Sequence, residues 1–111
     1  MIYLITKPAT DTQTEEMLET FGSYIKVAVD IERGILAGGG ELHADCEKVL
    51  LEYGCQQVNI WGANWYPTSQ RIEHESLINI RPCQNNRSMI IQDPLIQDSV
   101  AKIIKGLLAN K

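Results

Sequence analysis

The residues best suited to chemistry lie in one short segment, Glu41-Leu42-His43-Ala44-Asp45-Cys46-Glu47. Glu41, His43, Asp45 and Glu47 alternate along it. His43 and Glu47 are four apart, so on a helix they share a face. A neutral imidazole and a carboxylate are both divalent-metal ligands, and a metal-dependent hydrolase or nuclease would use such a pair. Two ligands do not complete a site, so Glu41, His43 and Glu47 are weak metal candidates; an exposed hydrogen bond is the commoner outcome of this spacing. Gly38-Gly39-Gly40 precedes the segment. Glycines ahead of a helix can cradle a phosphate on free N–H groups. Here no lysine follows as in a Walker loop, and Glu41 and Asp45 would repel an anion, so a bulge or tight turn is expected instead. His43-Ala44-Asp45 with Pro82-Cys83 downstream parallels the zinc-deaminase pattern. That chemistry needs His-x-Glu and Pro-Cys-x-x-Cys. The acid here is Asp45 and the second thiol position is Asn86, so this site cannot be assembled.

Two further groups of residues could bind a ligand. Asn59, Trp61, Ala63 and Trp65 share one strand parity, and Asn79 and Arg81 share the polar parity of the strand expected to follow. Should those faces coincide, tryptophan and arginine would stack a base or sugar, or hold an anion. The alternative is that both tryptophans are core or interface anchors. Arg81-Pro82-Cys83-Gln84-Asn85-Asn86-Arg87-Ser88 is a polar loop in which arginine forks could grip carboxylate or phosphate. Its asparagines could equally hold the loop's own backbone. No spacing supports Cys83 as a nucleophile. The candidate site is therefore His43, Asp45, Trp61, Asn79, Arg81, Asn86 and Arg87, with a small anionic ligand held by the arginines. No cofactor is expected.

The elements that must position these residues follow from periodicity. Ile2–Thr6 reads as a strand ended by Pro8. Thr10 and Gln13 have capping-box spacing, and Met17, Leu18 and Phe21 continue a helix towards Gly22. Tyr24–Asp30 alternates, Asp30–Gly34 reads as a hairpin turn, and Ile35–Ala37 returns. Leu42, Cys46, Val49, Leu50 and Tyr53 form one helical stripe stopped by Gly54. Val58–Trp65 and Arg71–Arg81 read as antiparallel partners, followed by a polar loop over Gln84–Gln92. Asp93-Pro94 opens a last helix striped by Ile96, Val100, Ile103, Ile104, Leu107 and Leu108. The order β-α-β-β-α-β-β-α predicts an α+β domain spanning residues 1–111. Two layers are expected, a mixed or antiparallel sheet of about five strands with three helices on one face.

Four stretches together resemble a bacterial family known as domain of unknown function 5674. They are Val29–Asp45 around the glycines, Ile60-Trp61-Gly62-Ala63-Asn64-Trp65-Tyr66-Pro67, Ser76-Leu77-Ile78-Asn79-Ile80-Arg81-Pro82, and Asn85-Asn86-Arg87-Ser88 with Asp93-Pro94. The resemblance spans nearly the whole chain and implies a small stand-alone protein, often cyanobacterial, without an assigned activity.

Bulk properties narrow the classes further. The chain has 111 residues, 44% hydrophobic and 22% charged, with a formal net charge of -4. These values exclude a disordered tail, a coiled coil and a membrane span, and argue against general nucleic-acid binding. The charge is uneven: Met1–Cys55 carries four Lys/Arg and ten Asp/Glu, whereas Gln56–Lys111 carries six and four. A local anion site is thus compatible with an acidic whole. Three cysteines without a CxxC signal neither a disulfide framework nor a zinc ribbon, and a cytoplasmic setting is expected. Three readings stand at this point: a ligand- or partner-binding domain, the metal-dependent enzyme, and a homodimeric interaction subunit such as half of a toxin–antitoxin pair.

Overall fold

The computed structural model describes residues 1–109. Five strands form one sheet: β1 (Tyr3–Ile5), β2 (Ile25–Asp30), β3 (Ile35–Gly38), β4 (Ile60–Tyr66) and β5 (Arg71–Glu73). Their spatial order is β1-β3-β2-β4-β5 and every pairing is antiparallel. Three helices complete the α+β fold: α1 (Asp11–Leu18), α2 (His43–Tyr53) and α3 (Pro94–Leu108). The element order is the one expected from periodicity.

Local chemistry sets the boundaries. The β2–β3 turn is built on Asp30, whose Oδ1 accepts from the backbone N–H groups of Glu32 and Arg33 at 2.9 and 3.0 Å. Gly34 closes the turn at φ 70°, where a side chain would be strained. Thr10 and Gln13 form the expected capping box, and Asp93 accepts from Leu95 N ahead of Pro94. Helix α1 ends at Leu18, one turn before Phe21. Phe21 instead stacks on Tyr24 with ring centroids 4.7 Å apart.

The helices lie on both faces of the sheet, which makes three layers where two were expected. Val27, Val29, Leu36, Trp61 and Trp65 face α3 and Met17 of α1. On the opposite face Ala28, Ala37 and Ile60 meet Cys46 and Leu50 of α2. The small side chains of Ala28 and Ala37 let α2 settle close to the strands. Strand β2 is consequently buried at every position but Lys26, the pattern of a strand covered on both sides.

The last strand is also shorter than expected. It leaves β4 after Glu73 rather than running on to Arg81. Ile91 N donates to His74 O and Ser76 N to Met89 O, so residues 74–76 pair with residues 89–91, across the Glu75–Ile90 bridge. The segment that reads as a polar loop thus partly returns alongside residues 74–76, held by an isolated bridge. The β4 edge it abandons does not go unpaired. Gly62 N donates to Asn79 Oδ1 at 2.8 Å, and Asn79 Nδ2 donates to Gly62 O at 3.0 Å. One side-chain amide replaces a strand neighbour there. Only glycine permits it, because a Cβ on residue 62 would sit 2.5 Å from Ser76 Cβ. Asn86 then ties the excursion down: Asn79 O, Ser88 O and Ile90 O share the two N–H groups of its Nδ2, and its Oδ1 accepts from Gln92 N.

Asn79→Ala should therefore leave both Gly62 backbone groups buried and unpaired, lowering unfolding stability by about 3 kcal/mol. Urea unfolding measures this directly. A loss below about 0.5 kcal/mol, the scale of a neutral surface change, would contradict the role given to Asn79.

Candidate functional site

Of the seven residues singled out from sequence, Trp61, Asn79, Arg81 and Asn86 are linked by direct contacts, whereas His43 and Asp45 stand at the start of α2 and line no depression with Arg81. Asn79 is fully buried in the β4 edge, and Asn86 organises the returning segment. Arg81 is 8% exposed. Its Nε donates to Ile78 O at 3.0 Å and its Nη1 to Gln57 O at 2.7 Å. Its Nη2 pairs with Glu47 Oε2 at 3.3 Å, and the guanidinium centre sits 4.9 Å from the centroid of Trp61. Burial presses the guanidinium pKa down and Glu47 pushes it back up. Arg81 is thus occupied in joining α2 to the polar excursion. Trp61 and Trp65 are 1% and 0% exposed, as core anchors should be. Asp45 is exposed and accepts from Leu42 N at 3.3 Å. Arg87 lies exposed on the return segment. Glu41, His43 and Glu47 form no metal site: among the described residues no three His, Cys, Asp or Glu side chains converge as ligands.

His43 is the exception. It opens α2 beside a cleft of about 360 Å³ between the start of that helix, β2, β4 and the 75–78 segment. Tyr24, Leu42, Leu77, Ile78 and Met89 supply an apolar lining; Lys26, His43, Asn64 and Glu75 supply the polar groups. Arg81 lines a different depression, with Glu47, Gln57 and Gln84.

The ring of His43 is fixed by its neighbours. Nε2 lies 3.0 Å from Ala63 O and 2.8 Å from Asn64 Oδ1. A backbone carbonyl can only accept, so Nε2 carries the proton. Asn64 is oriented in turn by donating from Nδ2 to Glu73 Oε1 at 3.3 Å. Glu73 also accepts from Tyr66 Oη at 2.8 Å and pairs with Arg71 at 3.1 Å. The hydrogen bond from Tyr66 is the largest influence holding the Glu73 carboxyl below its usual range. Burial lowers the His43 pKa below 6.5, Lys26 lowers it further, and the bonds to Ala63 and Asn64 oppose the shift. The imidazole is therefore neutral at pH 7, with Nδ1 as a free acceptor.

The opposite wall is stiffened by aromatic stacking. Phe21 stacks on Tyr24, and Tyr24 on Tyr66 with centroids 5.1 Å apart. Lys26 Nζ lies 5.0 Å from the centroid of Phe21, and Arg71 lies 4.2 Å from that of Tyr66. The N-cap of α2 is Leu42, which has no side-chain oxygen to cover the first helical N–H groups.

Sequence reasoning passed over Lys26, Asn64 and Glu73. Lys26 carried a signal: it is the lone charge inside the apolar run Ile25–Val29. Asn64 and Glu73 carried none, because their value depends on the β4–β5 register that sets them opposite each other.

A family model described as "Protein of unknown function (DUF5674)" matches residues 3–107. The chain belongs to that family. Among curated proteins and among solved structures, none matches it. The match to the DUF5674 model includes every residue of the His43 cleft. No helix among the described residues of this DUF5674 member is long and apolar enough to cross a membrane.

Both histidines should make stability depend on pH. Burial lowers the pKa of His74 as well, and its Nδ1 is buried without a partner. A lowered folded-state pKa means the unfolded chain binds protons first as pH falls. The histidine contribution is complete above pH 6.5 and is lost as pH drops through the folded-state values. Thermal unfolding between pH 7.5 and 5 should show a falling Tm, and His74→Gln should flatten the slope. A Tm that rises over that interval would contradict the assignment.

Proposed function

We propose that this protein is a binding domain for a small anionic molecule with an apolar body, taken up in the His43 cleft. One observation carries the reading. Lys26 and His43, on separate elements, line one recess whose other walls are largely apolar apart from Asn64, Glu75 and Ser76. Ligand sites typically combine an apolar lining with a few convergent polar groups. The expectation of an anionic ligand is kept, but the charge that answers it is Lys26 rather than Arg81 or Arg87. A carboxylate fits Lys26 as a charge-assisted hydrogen-bond acceptor, and the apolar walls suit an aliphatic or aromatic body.

The hydrolase or nuclease reading finds less support. It needs Glu41, His43 and Glu47 around one ion, yet Glu47 is paired with Arg81 and the His43 Nε2 proton is given to Ala63 O. The partner-binding reading draws on a different feature. Leu42 and Leu77, at 58% and 72% exposed, rim the same cleft and would also suit contact with a protein. Light scattering at high and low protein concentration tests that reading.

An amide-resolved NMR titration with 4-methylpentanoate tests the main one. Shift changes should centre on Lys26, His43, Ala44 and Leu77. Lys26→Met should weaken binding about tenfold or more, the scale of a charged hydrogen bond, with the amide spectrum otherwise retained. Shifts centred on Arg81 and Arg87, or none at millimolar ligand, would overturn the proposal.

A further inference from the structure

We propose that the ligand is a hydroxy-carboxylate, its carboxylate on Lys26 and its hydroxyl donating to His43 Nδ1. This rests on the anion-binding reading of the cleft and specifies what that anion must carry.

The proton on Nε2 sets what the other ring nitrogen can do. Ala63 O accepts from that nitrogen and has no alternative role, since a carbonyl cannot donate. Asn64 could in principle present either end to the ring. Glu73 decides it, because the amide nitrogen is drawn to the carboxylate and the amide oxygen is left for His43. Two independent acceptors therefore hold one tautomer. Nδ1 keeps its lone pair and has no partner among the described residues. The His43 side chain is one of the walls of the cleft, and Nδ1 is the ring nitrogen left to a ligand there.

A neutral acceptor selects differently from a cation. A plain carboxylate brings two acceptor oxygens and no donor, so it would leave Nδ1 desolvated and unpaired. The alternative is that the ring takes up a proton and becomes a second cation. The groups facing it from each element resist this. Lys26 on β2 is a positive neighbour, and burial lowers the ring's pKa. The thiol of Cys46, one turn along α2, is directed to Lys26 O at 3.6 Å and does not reach the ring. Asp45 on α2 is engaged with Leu42 N, and Glu73 on β5 acts only through Asn64. Glu75, which also lines the cleft, is exposed to water, so its charge is screened there. A ligand that itself supplies a hydroxyl satisfies Nδ1 with no change of protonation. A site built to pair with a hydroxyl discriminates strongly against the analogue without one, because its own buried group is then left unpaired.

The test compares three probes on the intact protein by calorimetry or NMR titration. They are 4-methylpentanoate and its 2-hydroxy and 3-hydroxy derivatives, each enantiomer used separately. At pH 7.5 at least one hydroxy acid should bind about tenfold more tightly than the parent acid, the scale of one added hydrogen bond. That advantage should shrink as pH falls from 7.5 to 5.5, because a proton on Nδ1 competes with the hydroxyl. His43→Leu should bring the probes to within about twofold of one another, while Lys26→Met should weaken all of them together. A well-dispersed amide spectrum checks that each variant folds. If the parent acid binds as well as both hydroxy acids, the hydroxyl inference falls and the anion site stands. If the hydroxy-acid advantage grows on acidification, His43 binds as a cation and the inference falls. If no probe binds at millimolar concentration, both readings fall.

Discussion

The structure hangs on one side-chain amide. Asn79 fills the hydrogen-bonding position beside Gly62 that a strand would otherwise occupy. An open strand edge invites pairing with another chain, and a buried one would leave orphaned donors and acceptors. By answering both backbone groups of Gly62, Asn79 lets the chain leave the sheet after Glu73 without exposing β4. The freed segment turns back on itself through Ser76, whose hydroxyl accepts from Ile78 N, and is held by Asn86. Leu77 and Ile78 are thereby placed across from the start of α2. Had β5 continued along β4 to Arg81, that wall of the cleft would not exist.

Arg81 secures the far side of the same excursion. Its pairing with Glu47 is buried, and such pairs rarely add much net stability because both ions lose water. What this one does supply is position. Three further bonds, to Ile78 O, Gln57 O and the Gln84 side chain, leave the guanidinium one placement. The indole of Trp61 lies against it, adding a cation–π contact. Glu47 stands one turn beyond His43 on α2, so the pair ties the helix that carries His43 to the excursion. The polar residues that looked most like ligand-binding groups therefore act one step behind the cleft, as its frame.

How far the sequence was legible follows the range of each interaction. Caps and turns were readable because they close within three or four residues: Thr10 with Gln13, Asp30 with Gly34, Asp93 ahead of Pro94. The core stripes of α2 and α3 were readable from period alone. The layering was not, because Ala28 and Ala37 give little hydrophobic signal yet are small enough to admit a helix. The end of β5 was not, because alternation over Arg71–Arg81 is compatible with a strand. What breaks it is the cross-chain pairing of residues 74–76 with 89–91, which no local pattern announces. The candidate site divides the same way. His43 was found by residue type, Arg81 and Asn79 were given a binding role when their bonds are internal, and Asn64 became visible only through register.

His43 is likewise held by bonds that reach across the chain. A histidine at the first position of a helix could rotate freely and titrate near its ordinary value. Here three strand-borne groups restrain it: Ala63 O, Asn64 Oδ1 and, behind Asn64, the carboxylate of Glu73. None of these bonds adds to the core, and the Arg71–Glu73 pair that completes the chain is exposed, where ion pairs contribute little to stability. A series of oriented polar groups ending on an imidazole at the edge of an apolar cleft does little for folding that a leucine could not do. Its physical consequence is a ring held in one tautomer at the wall of the cleft, with the Nδ1 lone pair unused by the bonds that hold it. Orientation of that kind matters when something has to be bound in one pose, and it is found at the cleft rather than in the arginine-rich excursion, whose polar groups are spent on one another.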